Sequence, residues 1–208
     1  MNLVHWLEGY IRANGIESLG VALGLICVWL LVKENIWNWP IGIANNLLYI
    51  YIFFGSGLYA DMGLQGVYIA IAIYGWWNWL HGGKNHSGLS MTEASPSVLV
   101  NYAAAAALAT AILYFLLRRY TPSTVPFTDG LTTALFLTAQ YMMSRKIVEN
   151  WWFWIVGNVL AIGLYVYKGL YQTAGLYAVF LILCAMGLRE WQKAARREPA
   201  GLPVPGEA

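Results

Sequence analysis

Three side chains are spaced to hold a flat, polar ligand. Trp151, Trp154 and Asn158 stand at i, i+3 and i+7 within the run ENWWFWIVGNVLAIGLYVYK, Glu149 to Lys168. On a helix that spacing puts all three on one stripe. Two indole faces and one carboxamide could take an aromatic ring by stacking and its polar groups by hydrogen bonding. The same run is apolar enough to cross a bilayer, and tryptophan is common at membrane interfaces, where its ring is apolar and its N–H wet. Trp151 and Trp152 open the run, so an interface belt is the plainer reading for both. Trp154 lies a turn deeper. Asn158 falls near mid-span, where an amide marks a helix contact or a polar pathway.

Other amides extend the pattern. Trp39, Gly42 and Asn46 repeat the spacing in an earlier apolar run, and Asn46 stands at a depth comparable to Asn158. Gln140 lies deep in another run. Gln65 shares a helical stripe with Tyr68, Ala72, Trp76 and Trp79. Trp79 and Trp191 close their runs and read as interface residues. Ionisable side chains are missing from mid-span: every Asp, Glu, Lys, Arg and His falls at an end or in a connector. Proton relays are built from intramembrane ionisable groups, so the pattern argues against ion coupling. It suits a ligand held by stacking and neutral hydrogen bonds. A delocalised cation over a Trp face would gain about 0.5–2 kcal/mol per contact.

These residues need a membrane scaffold, and composition supplies one. The chain has 208 residues, of which 59% are hydrophobic and 11% charged. Soluble domains carry about 25% charged residues. The fold class is an all-α polytopic membrane protein. A net charge of +2, spread over connectors and tail, gives no nucleic-acid footprint. Cys27 and Cys184 sit in apolar runs and read as packing residues. His81 and His86 flank a glycine-rich connector without further ligands at metal spacing, so neither a metal nor another cofactor is expected. No H-E-x-x-H, G-x-S-x-G or buried acid–base pair suggests an enzyme.

Seven spans are expected: Leu19 to Val32, Trp39 to Phe54, Leu64 to Leu80, Val98 to Leu117, Leu131 to Met143, Trp151 to Tyr167 and Thr173 to Leu188. The longest polar connector is HGGKNHSGLSMTEASPS. Residues 1–17 read as an interfacial helix with Leu3, Trp6, Leu7, Tyr10 and Ile11 on one face, and without a signal-peptide pattern. Residues 192–208 read as a basic, then Pro-rich tail.

Two stretches recur. ENIWNWPIG from Glu34 matches ENWWFWIVG from Glu149, and YADMGLQGVYIAIAIYGWWNW from Tyr59 matches YQTAGLYAVFLILCAMGLREW from Tyr171. The second match pairs Gly75 with Gly187 and Trp79 with Trp191. The offset changes by three residues between the two, which places a gap within the second or sixth span. The chain then divides into a three-helix repeat over 18–80, a linker span over 97–118 and a second repeat over 128–191. A single linker span restores orientation, so the repeats are parallel, an arrangement known in transporters. Lys33, Lys84, Arg145, Lys146, Arg189, Lys193, Arg196 and Arg197 fall on one side; Arg12, Arg118, Arg119 and Lys168 fall on the other. The richer side is expected to be cytoplasmic, with the N-terminus outside and the C-terminus inside.

With WNWPIGIANN from Trp37, GWWNW from Gly75 and ENWWFWIVGNVLAIGLYVYKGLY from Glu149, the chain resembles the PnuC family of nicotinamide riboside transporters. The resemblance runs from the first span to the seventh. It implies a 3+1+3 fold similar to SWEET sugar carriers, a bacterial inner-membrane location and a homotrimer in membrane lipid. It implies facilitated diffusion of a small vitamin precursor, drawn inward by a cytoplasmic kinase that phosphorylates it. It also implies that Trp151 and Trp154 border the nicotinamide ring and that Asn158 and Asn46 touch the substrate. Gln140 and Gln65 are added from the residue reading. Related carriers take thiamine or riboflavin, so these remain alternative substrates; a structural or assembly membrane protein, with the amides packing helices, is the other alternative.

Overall fold

The computed structural model describes residues 15–197 apart from 56, 58, 84, 85 and 87. Among these residues the chain forms seven α-helices: α1 Gly15–Val32, α2 Asn38–Gly55, α3 Tyr59–His81, α4 Pro96–Tyr120, α5 Pro126–Ser144, α6 Asn150–Tyr167 and α7 Tyr171–Arg197. The expected interfacial helix over 1–17 falls almost wholly outside the described residues, and Gly15 to Glu17 belong to α1. Helices of 18 to 27 residues are about 27–40 Å long, enough for a hydrocarbon core of about 30 Å.

Local chemistry sets the helix ends. Pro96 and Pro126 stand in first turns, where no backbone N–H is missed. At the end of α6, Gly169 takes φ +73°, and Leu170 N–H donates to the Tyr165 carbonyl. This is the paired-bond stop that favours glycine. The ends of α1 and α5 use the same stop without glycine. Glu34 and Lys146 take φ of 54° and 52°, while Asn35 and Ile147 N–H groups donate to Leu30 and Met142 carbonyls.

Six helices close a ring. α1 packs on α2, α2 on α3, α3 on α5, α5 on α6, α6 on α7, and α7 returns to α1. α4 packs on α5 and is not part of the ring. The 3+1+3 organisation fits this arrangement, because α3 against α5 and α7 against α1 are then equivalent contacts.

Detailed contacts recur at one constant spacing, the 112 positions that separate Glu34 from Lys146. Trp79 Nε1–H donates to the Met143 carbonyl at 3.1 Å, and Trp191 Nε1–H donates to the Leu31 carbonyl at 3.0 Å. Asn38 Nδ2 donates to the Asn35 carbonyl, and Asn150 Nδ2 to that of Ile147. The expected three-residue gap is therefore absent. Glu34 is equivalent to Lys146 rather than to Glu149, and the shared E-N-x-W-x-W lettering is out of register with the helix stops.

Four tryptophans form the centre of the core. A Cβ at Gly75 would lie 2.2 Å from the Trp39 ring, and one at Gly187 would lie 2.3 Å from the Trp151 ring. Only glycine permits either approach. Trp39 meets Trp79 edge-on at 5.3 Å, Trp151 meets Trp191 edge-on at 5.5 Å, and Trp79 meets Trp191 at 5.8 Å. An interface belt is therefore the wrong account of Trp151, Trp79 and Trp191, which are 0%, 5% and 0% exposed. Trp152, at 52%, does face outward.

The polar connector covers this cluster. Thr92 N–H donates to the Lys146 carbonyl and Val148 N–H to that of Thr92, while Leu89 N–H donates to the Trp79 carbonyl. Leu89 and Met91 are thereby buried in the core. Ala94 N–H donates to Glu149 Oε2 at 2.9 Å.

Candidate substrate cavity

A cavity of about 910 Å³ lies inside the helix ring. At one end it reaches Trp39 and Trp151, at the starts of α2 and α6. At the other it reaches Ser18, Gln172 and Thr173, in the first turns of α1 and α7. The volume falls in the range of small-molecule sites.

All six residues singled out from the sequence line this space: Trp151, Trp154, Asn158, Asn46, Gln140 and Gln65. They come from α2, α3, α5 and α6, so both repeats contribute. Their environments differ. Trp151 is held between Gly187 and Trp191 and forms part of the closed end. Trp154 stacks one face on Phe136, with centroids 5.2 Å apart and planes 29° from parallel. Phe136 in turn stacks on Tyr177. The Asn158 amide donates to the Trp154 carbonyl at 2.7 Å and reaches Cys184 Sγ at 3.6 Å. That fixes its nitrogen and leaves its carbonyl oxygen available.

Several cavity residues escaped the sequence reading. Phe136 lies one turn before Gln140 on the same face, and that spacing was the available signal. Tyr177 carries no comparable motif. Asn45 and Ser18 also line the space. Asn45 directly precedes Asn46 in the N-N doublet.

Polar atoms in this wall are left unpaired. Nε1 of Trp39, Trp151 and Trp154, Oδ1 of Asn45 and Oγ of Ser18 are buried without a hydrogen-bond partner. Leaving such a group unpaired costs about 1–3 kcal/mol each. Among the described residues lining the cavity there is no Asp, Glu, Lys, Arg or His. The space offers aromatic faces, amides and hydroxyls, and no fixed charge.

Residues 14–193 match the family model described as nicotinamide mononucleotide transporter. The chain belongs to this family. It is a multi-pass membrane transporter and not an enzyme. It is 30% identical to the nicotinamide riboside transporter PnuC of Escherichia coli (strain K12) over 206 residues, covering 87% of this chain and 86% of that one. It is 29% identical to the riboflavin/roseoflavin transporter RibM of Streptomyces davaonensis over 185 residues, covering 88% and 86%. Among solved structures, the crystal structure of the vitamin B3 transporter PnuC superposes with a TM-score of 0.74 at 23% identity, covering 93% of this chain and 87% of that one. The all-α architecture agrees with that fold.

Proposed function

We propose that the protein carries nicotinamide riboside across the bacterial inner membrane as a uniporter. The observation that carries this reading is the cavity's chemistry: stacked aromatic rings and unpaired neutral polar atoms, with no ionisable side chain in the lining. The pyridinium ring is flat and cationic and suits the Trp154 ring where it borders the cavity. Its carboxamide both donates and accepts, matching the Trp154 N–H and the Asn158 carbonyl. Asn46, Gln140 and Gln65 serve the remaining polar groups, and Trp151 closes the site from below.

The same chemistry chooses between two substrates that family names suggest. A mononucleotide adds a phosphate of about −1.5 to −2 charge, and a buried unpaired charge is costly. The lining has no cation to meet it. The riboside is therefore the better ligand. Uptake needs no ion gradient, and phosphorylation by a cytoplasmic kinase draws the vitamin inward. Riboflavin is the second reading, favoured by the similarity to RibM; thiamine is a third. Binding of the riboside, riboflavin and thiamine to the purified protein decides among them. Tightest binding of either alternative would replace the riboside reading.

The end that carries Lys33, Arg145, Arg189 and Lys193 faces the cytoplasm, with the N-terminus outside and the C-terminus inside. A C-terminal reporter active only in the periplasm would overturn that orientation. The protein assembles as a homotrimer with one cavity per protomer. Apolar Val100, Leu108, Ile112 and Phe115 are exposed on α4, which leaves that helix free for lipid and neighbours. Native mass measurement in mild detergent should give three chains; monomers alone would count against it.

A further inference from the structure

The two repeats place large and small residues differently at equivalent positions. In the second repeat, Phe136 on α5 fills the space above Gly157 on α6, where a Cβ would come 2.4 Å from the ring. At the constant spacing of 112 positions, their counterparts are Gly24 on α1 and Asn45 on α2. There the glycine lies on the first helix, and the Asn45 amide packs over it, with Nδ2 3.6 Å from the position of a Gly24 Cβ. Trp154 likewise has Gly42 as its counterpart. At these equivalent positions the second repeat presents rings where the first presents glycine and an amide.

We propose that Asn45 is a specificity-determining residue that holds the sugar of the transported riboside. The inference rests on the riboside reading above and assigns the substrate's direction within the site. The stacked pair Phe136–Trp154 gives the heterocycle an aromatic surface on one wall. With the ring on that pair, the ribose extends toward Gly24 and Gly42, where the nearest side chains are Asn45, the edge of Phe180 and Cys27. Asn45 stands there with its Oδ1 buried and unpartnered. An amide turns readily about its terminal torsion, so the oxygen can swing to accept a ribose hydroxyl. A hydroxyl donor relieves the unpaired acceptor, which is the arrangement that discriminates most strongly against an analogue lacking it.

The test compares nicotinamide riboside with its 2′-deoxy and 3′-deoxy analogues on the purified full chain. Wild type should prefer the riboside over at least one deoxy analogue by about tenfold, the value of one buried hydrogen bond. In Asn45→Leu that preference should vanish, while the deoxy analogue binds within about twofold of its wild-type affinity. Asn45→Ala serves the same purpose if the leucine variant fails to fold. Because the readout is a ratio within one variant, a general loss of fold does not imitate it. An undiminished preference in either folded variant, or no preference in wild type, would overturn the role of Asn45. Wild type that binds no riboside at all would instead overturn the substrate reading, and this inference with it.

Discussion

Glu34 and Lys146, 112 positions apart, occupy equivalent helix stops and form an ion pair with each other. Both have positive φ, and the Lys146 ammonium also lies 4.8 Å from the Trp79 ring centroid. The pair joins the two repeats at the end covered by the connector. Charge reversal at either position alone should lower thermal stability by about 1–2 kcal/mol, from the lost ion pair and, at Lys146, the lost cation–π contact as well. Since the positions are equivalent, the double variant Glu34→Lys/Lys146→Glu should recover most of that loss. The ammonium at position 34 would then face Trp191, the counterpart of Trp79. A double variant less stable than both singles would contradict the equivalence.

Gly187 tests the tryptophan cluster. Gly187→Val should destabilise the protein by about 1–3 kcal/mol through overpacking, because its Cβ would collide with Trp151. Gly175→Ala, in the same helix with nothing within 4 Å of the added atom, should not. Thermal unfolding in detergent measures both. Equal stability of the two variants would contradict the packing account.

The order of letters in the sequence carried much of this arrangement. Asn158 and Trp154 were legible from spacing alone, because one helix presents both. The roles of Trp151, Trp79 and Trp191 were not: a tryptophan near a span end looks the same whether it faces lipid or a glycine on another helix. Gly75 and Gly187 were visible as matched letters, but only the fold shows what they admit. The register of the first repeat is hidden in the sequence, because identical letters compete with the helix stops at Glu34 and Lys146, whose side chains have opposite charge. Asn45 is not marked by the repeat, since its counterpart, Gly157, carries no amide.

Glu149 provides a pH signature outside the spans. Burial, together with the nearby Glu93 charge, holds its carboxyl above the ordinary value of 4.5, against the pull of the Ala94 N–H. The folded chain binds this proton more tightly than the unfolded chain. That stabilisation is fully present below pH 4.5 and is lost as pH rises through the raised value. Glu149→Gln should flatten this part of the stability profile when melting is followed from acid to neutral pH. Unchanged slope would show that Glu149 does not contribute.

Trp154→Ala and Asn158→Leu should each weaken riboside binding by about tenfold on folded, monodisperse protein. Trp152→Ala is the control, since that ring faces outward. Lower thermal stability without a selective loss of affinity would assign both residues to helix packing. Normal affinity in both variants would remove the site from α6.

Uptake of radiolabelled nicotinamide riboside into proteoliposomes of the purified protein, without any imposed ion gradient, tests the central claim most directly. The label should equilibrate across the membrane, unlabelled riboside should compete with it, and nicotinamide mononucleotide should not. A proton or sodium gradient should change neither rate nor end point. No uptake, equal competition by the mononucleotide, or accumulation driven by either gradient would contradict a neutral cavity that carries the riboside by diffusion.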